Sequence, residues 1–192
     1  MNVANPLNRL QPKPAGGVLG LAFDGGRLEG AVARRANGTV EIKQTFSAPL
    51  SLDLLTDDPE LVGRERRQQL EAAGIRENRC VVGLPLNWAL TLAVKLPELP
   101  EADLESFLQL EAERGFPYPP DALITSQSRF RAPGGELYAT LVAVPRGHVT
   151  RLEAVLKAAQ LRVLSLSFGI TALEQPRPGS PDGVLALVPG QS

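Results

Sequence analysis

Val18-Leu19-Gly20-Leu21-Ala22-Phe23 runs straight into Asp24-Gly25-Gly26. Leu28 to Arg35 then leads to Asn37-Gly38, and Thr39 to Phe46 follows. Apolar runs separated by Gly-Gly and Asn-Gly pairs predict strands joined by tight hairpins, because those pairs accept the positive φ angles of two-residue turns. Val40 and Ile42 alternate with polar neighbours, as in a strand with one face in water. The chain therefore opens with a meander of three antiparallel strands.

Asp57 and Asp58 precede Pro59, which supplies an N-cap and a first-turn proline. The helix they start is expected to run from Pro59 to Ala73 and to stop at Gly74, a favoured C-terminal residue. Its apolar positions, Leu61, Val62, Leu70 and Ala73, are sparse, so it is expected on the surface. Arg64, Arg66 and Arg67 beside two glutamates read as its solvated side. Arg79 to Leu84, closed by Pro85, reads as a central parallel strand. Three meander strands, a helix and a parallel strand form the opening unit of an α/β fold of the ribonuclease H-like or actin-like type. This subdomain is expected to cover residues 18–86 and to return at about 169–192. Residues 1–17, with Pro6, Pro12, Pro14, Gly16 and Gly17, read as a flexible leader.

The next stretch has another order. Trp88 to Leu96 reads as a strand with Leu90, Leu92, Val94 and Leu96 on one face. Pro100 starts a helix carrying Leu104, Phe107, Leu108 and Glu111, which ends near Gly115 before three prolines. Leu123 to Phe130 and Glu136 to Val144 are strands joined by the turn Ala132-Pro133-Gly134-Gly135. A helix bearing Val149, Leu152, Leu156 and Ala159 follows, then a strand from Arg162 to Phe168. Residues 87–168 thus form an inserted β-α-β-β-α-β module. Gly169 to Glu174 reads as a short helix and Gly183 to Val188 as one more strand. The chain stops four residues after that strand, so the sequence reads as truncated.

Composition removes several function classes. A formal net charge of −1, from 20 basic and 21 acidic residues, gives no clustered basic face for nucleic acid. One cysteine, Cys80, allows no internal disulfide and no cysteine metal cluster, which suits a reducing compartment. One histidine, His148, excludes a His-based metal site. No apolar run approaches the roughly 20 residues of a membrane span. No direct membrane insertion is expected, and work at a membrane would need a partner to hold the protein there.

Four stretches resemble the PilM family, the cytoplasmic actin-like proteins of type IV pilus assembly, and more distantly FtsA. They are Val18 to Val32; Cys80-Val81-Val82-Gly83-Leu84-Pro85; Leu96-Pro97-Glu98-Leu99 with Leu110 to Tyr118; and Leu141 to Arg146 with Leu156 to Leu161. The cytoplasmic domain of GspL-like type II secretion proteins is a close variant. The resemblance implies a first phosphate turn, here Asp24, Gly25 and Gly26, and a second after the strand Gly183 to Leu187. The family's metal-positioning acids would fall at Ala22 and at Val188, and both are replaced. Without carboxylates to position a cation and its water, hydrolysis is not expected, ATP is a doubtful ligand and no cofactor is expected. The implied function is a non-catalytic cytoplasmic scaffold, peripheral to the inner membrane. It would bind the extended cytoplasmic tail of a PilN-like protein between core and module, among other pilus or secretion components. The alternative is an ATP-binding enzyme of the same superfold, an ATPase or kinase. A ribonuclease H-like nuclease needs carboxylates on the central strands, and Val18 to Phe23 and Cys80 to Leu84 carry none.

Each candidate residue also has a plainer reading. Asp24-Gly25-Gly26 is explained by turn chemistry alone. Cys80 in an apolar strand is an inert core residue, and His148 near a helix start reads as a surface residue. Glu111 and Glu113 read as solvated or bound to Arg114. Phe116 and Tyr118, between prolines, are candidates for a partner-binding edge or for packing under the helix exit.

Overall fold

The structure, a computed structural model, describes residues 17–24 and 26–169. The expected leader, Gly25, the helix after Gly169, the strand Gly183 to Val188 and the second phosphate turn with Val188 lie outside the described residues. Among the described residues eight strands and three helices follow in order: β1 (Val18–Asp24), β2 (Arg27–Ala36), β3 (Thr39–Pro49), α1 (Pro59–Ala72), β4 (Arg79–Gly83), β5 (Leu90–Lys95), α2 (Glu101–Gly115), β6 (Leu123–Arg131), β7 (Leu137–Pro145), α3 (Arg146–Ala158) and β8 (Arg162–Ser167). Short 3₁₀ turns at Leu86–Trp88 and Pro120–Ala122 lead into β5 and β6.

The strands form two sheets. The larger has the order β3-β2-β1-β4-β8. Its first three strands are the antiparallel meander, with Leu19 opposite Val32 and Phe23 opposite Leu28. β4 then joins β1 in parallel, and β8 joins β4 in parallel. An antiparallel meander extended by parallel strands is the ribonuclease H-like arrangement that actin-like subdomains share. The smaller sheet, β5-β7-β6, is wholly antiparallel.

Each sheet has its own core. Alternation places Leu19, Leu21 and Phe23 on one face of β1, where they pack with Val62 and Leu70 of α1 and Leu152 and Leu156 of α3. The opposite face carries Gly20 and Ala22, and no helix covers it among the described residues. In the smaller sheet, Val94, Ala139, Leu141 and Ala143 face Leu104 and Leu108 of α2. Trp88 lies between the sheets in sequence yet is buried in the first core, its ring centroid 5.1 Å from that of His148. It anchors the crossing point of the chain.

Three expectations change. The elements after β5 keep the expected β-α-β-β-α-β order, but the last two join the larger sheet. β8 hydrogen-bonds to β4, and Leu152, Val155 and Leu156 of α3 sit in the first core. The separate module is therefore β5-α2-β6-β7, because alternation along Arg162 to Ser167 gives a strand without naming its partner. Second, α1 is no simple surface helix. α3 covers it, and Arg66 is 1% exposed. The Arg66 guanidinium donates to Gln69 Oε1 at 2.8 Å, Glu65 Oε2 at 3.1 Å and the Leu52 carbonyl at 3.3 Å. Third, His148 is half-buried against Trp88 and its Nδ1 has no partner among the described residues. The cap at Asp58 forms as expected, its carboxylate accepting from the N–H groups of Glu60 and Leu61.

Candidate functional site

The module holds a groove of about 390 Å³ between α2 and β6. Its shape begins with Gly115. A Cβ there would lie 2.4 Å from a Leu92 methyl, so the end of α2 leans onto β5. β6, on the far side of β7, is left uncovered at the edge of the sheet. Its residues Thr125 to Ser128 are exposed. An edge strand carries unpaired backbone donors and acceptors that an added strand can use.

Two lines of side chains from α2 and the residue after it, each at four-residue spacing, face this gap. Leu108, Ala112 and Phe116 give an apolar line, and Glu105, Gln109 and Glu113 give a polar one. Across the groove stand Leu123, Thr125 and Gln127 of β6, with Leu141 of β7 behind. Arg129 near the end of β6 donates to Glu101 at the start of α2, 2.6 Å away. The two elements therefore run antiparallel, with Glu113 near the start of β6 and Glu105 further along it. Arg146, the first residue of α3, donates to the carbonyls of Asp121 at 3.1 Å and Leu123 at 3.0 Å, and so fixes the entry of β6 against the core.

The groove is acidic. No Lys or Arg lines it, and neither Glu105 nor Glu113 has an ion-pair partner among the described residues. Gln109 Nε2 lies 3.4 Å from Glu113 Oε1. Among the described residues there is also no group of three or more His, Cys, Asp or Glu placed to hold a metal ion, and no helix long and apolar enough to cross a membrane.

Asp24 pairs with Arg27 across the first turn. Gly26 has φ +77°, and its carbonyl accepts from the Leu50 N–H at 2.7 Å, so the turn is tied to the end of β3. Ala22 is exposed, flanked by Gly83 of β4 and opposite Glu29 of β2. Ser47 donates to Glu29 Oε1 at 2.6 Å, and Arg27 donates to Ser47 at 3.0 Å. Cys80 is fully buried, and burial pushes its thiol pKa up.

Of the two aromatic candidates, the structure brings Phe116, 7% exposed, to the groove wall. Tyr118 is 39% exposed and does not line it. Glu105, Gln109 and Gly115 were not singled out from the sequence. The repeat of polar residues at 105, 109 and 113 was the available signal, but on a helix it reads first as a solvated stripe.

This architecture matches solved structures. The PilM-PilN type IV pilus biogenesis complex aligns at 21% identity with a TM-score of 0.64, over 82% of this chain and 50% of that one. The cytoplasmic domain of EpsL, an inner membrane component of the type II secretion system of Vibrio cholerae, aligns at 17% identity with a TM-score of 0.56, over 85% and 61%. The chain has the actin-like fold. It spans only about half to three-fifths of those two chains. No family model matches the sequence, and no curated protein matches it.

Proposed function

We propose that the protein is a non-catalytic scaffold of a type IV pilus or type II secretion-like assembly that captures the extended cytoplasmic tail of a PilN-like inner-membrane partner. The observation that carries this reading is the open β6 edge beside the apolar line of α2. Backbone pairing along an edge strand supplies affinity, and side-chain pockets beside it supply selectivity. The groove lies inside the module rather than between module and core, and Arg146 couples its entry to the core. In this reading the protein is cytoplasmic and reaches the membrane through its partner.

The turn after β1 supports a role without nucleotide chemistry. Ala22 offers no carboxylate, and Glu29 opposite is engaged by Ser47 and Arg27. Ala22 leaves the position of the family's acid without a carboxylate and the Glu29 carboxylate is already engaged, which weighs against a magnesium nucleotide here. The direct test is calorimetric titration of the full chain with a synthetic PilN-like tail peptide. Saturable binding in the micromolar range is expected. Silence at those concentrations, with the chain shown folded by circular dichroism, removes the proposal.

A further inference from the structure

We infer that the α2–β6 groove selects an extended peptide carrying two cationic side chains four residues apart, with an apolar side chain midway between them. This rests on the reading of the groove as a tail-docking site and specifies the chemistry it accepts.

The spacing follows from geometry. Glu105 and Glu113 are eight positions apart on α2, which at about 1.5 Å per residue separates them by roughly 12 Å. A strand advances about 3.3 Å per residue, so roughly four strand residues cover the same distance. Residues i and i+4 of a strand point to the same face, and i+2 points there as well. A strand added to β6 can thus present cations at i and i+4 to Glu105 and Glu113. Its i+2 side chain then meets Leu108 and Ala112, between the two acids. A spacing of three would turn the second cation to the opposite face of the added strand.

The groove has two carboxylates, no lining cation and no ion pair to either carboxylate among the described residues. Both glutamates are exposed. They remain hydrated in the free protein: Glu105 is available to an incoming Lys or Arg as it stands, and Glu113 gives up only the long 3.4 Å hydrogen bond from Gln109.

The test uses the full chain and fluorescein-labelled heptapeptides read by anisotropy. The first probe is Ser-Lys-Thr-Leu-Thr-Lys-Ser. The second moves one lysine to give a spacing of three, and the third replaces both lysines by glutamate. The first probe is expected to bind roughly tenfold more tightly than the second, the scale of one or two exposed ion pairs plus lost pocket contact. The double variant E105K/E113K is expected to lose the first probe and to gain the third. Both sites are exposed, and equal melting temperatures will confirm that the fold is kept. Equal binding of the two lysine spacings, or no effect of the charge swap, overturns the inference. If a PilN-like tail binds the wild type and E105K/E113K alike, the scaffold reading stands and this one falls. If the lysine probe binds with the expected swap while the tail does not, the groove chemistry stands and the PilN-like partner is lost.

Discussion

Gly63 of α1 sits against Ala158 of α3 so closely that a Cβ added at 63 would lie 2.4 Å from the Ala158 Cβ and 2.7 Å from the Val155 carbonyl oxygen. The missing side chain lets the two helices touch over the larger sheet and bury Val62 and Leu70 beside Leu152 and Val155.

Gly63→Ala tests that contact. Alanine gains up to about 1 kcal/mol in helix propensity. Overpacking against a helix that cannot retreat from the sheet costs about 1–3 kcal/mol. The net loss is expected at about 1–2 kcal/mol, a fall in melting temperature of about 2–8 °C by calorimetry. Ala158→Gly in the same chain removes one of the two close contacts and is expected to restore part of the loss. A G63A chain as stable as the wild type would show that the helices do not meet at this point.

Arg66 is the buried counterpart to that glycine. Its side chain is 2% exposed and its partner Glu65 is 20% exposed. Burial pulls the guanidinium pKa down, and the neighbouring Glu65 charge pushes it back up. Removing the whole side chain leaves a hole and strands Gln69 and the Leu52 carbonyl without their donor. Arg66→Ala is therefore expected to cost about 2–4 kcal/mol. Arg66→Met fills most of the same volume but strands the same acceptors, so it is expected to cost less, about 1–3 kcal/mol. Urea denaturation of both variants reads the difference, and an R66M chain no better than R66A means that the ion, not the stem, is what the site needs.

Asp53 sets part of the acid limit of the fold. Its carboxylate accepts from the N–H groups of Leu55 at 2.7 Å and Thr56 at 2.9 Å, which holds its pKa below the ordinary 3.8. The loop it shapes is gripped from α3 by Arg151, which donates to the Leu54 and Asp57 carbonyls. With a folded pKa below the unfolded one, the stabilisation is fully present above pH 3.8 and is lost as pH falls through the folded value. Asp53→Asn keeps the acceptor and removes the titration. Urea midpoints measured from pH 6 down to pH 2 are expected to fall less steeply for D53N than for the wild type. Parallel curves would mean that Asp53 titrates alike in folded and unfolded chains.

Local signals carried much of this fold. Asn37-Gly38 marked a hairpin, and Asn37 and Gly38 both adopt positive φ. Asp58-Pro59 and Gly74 bracketed α1 to within two residues. What local signals could not supply was the choice of partner. The alternation in β8 suits either sheet, and only its pairing with β4 assigns it to the larger one. Arg66 reads as solvated because arginine on a sparse helix usually is, yet it is buried and donates to Gln69, Glu65 and the Leu52 carbonyl. Gly63 reads as a weak helix position rather than a contact. The groove was half legible. Phe116 is visible just before Pro117, but the open edge of β6 depends on strand order, which no six-residue window contains.

Ala22 occupies the position where the family resemblance places an acid. Ala22 stands directly opposite Glu29, and Ser47 holds that carboxylate at 2.6 Å. Ala22→Asp would set two carboxylates across one antiparallel pair. Like charges so placed are destabilising by about 0.2–1 kcal/mol, and E29Q in the same chain should return that loss. A lone restored acid is not expected to create a nucleotide site, because Glu29 and its Arg27–Ser47 partners still occupy the sheet face beside the turn. Calorimetry of A22D with millimolar Mg·ATP is therefore expected to show no saturable heat. Mg²⁺-dependent binding by A22D, absent from the wild type, would mean that the turn keeps a working phosphate cradle and that a single side chain separates this chain from a nucleotide-dependent one.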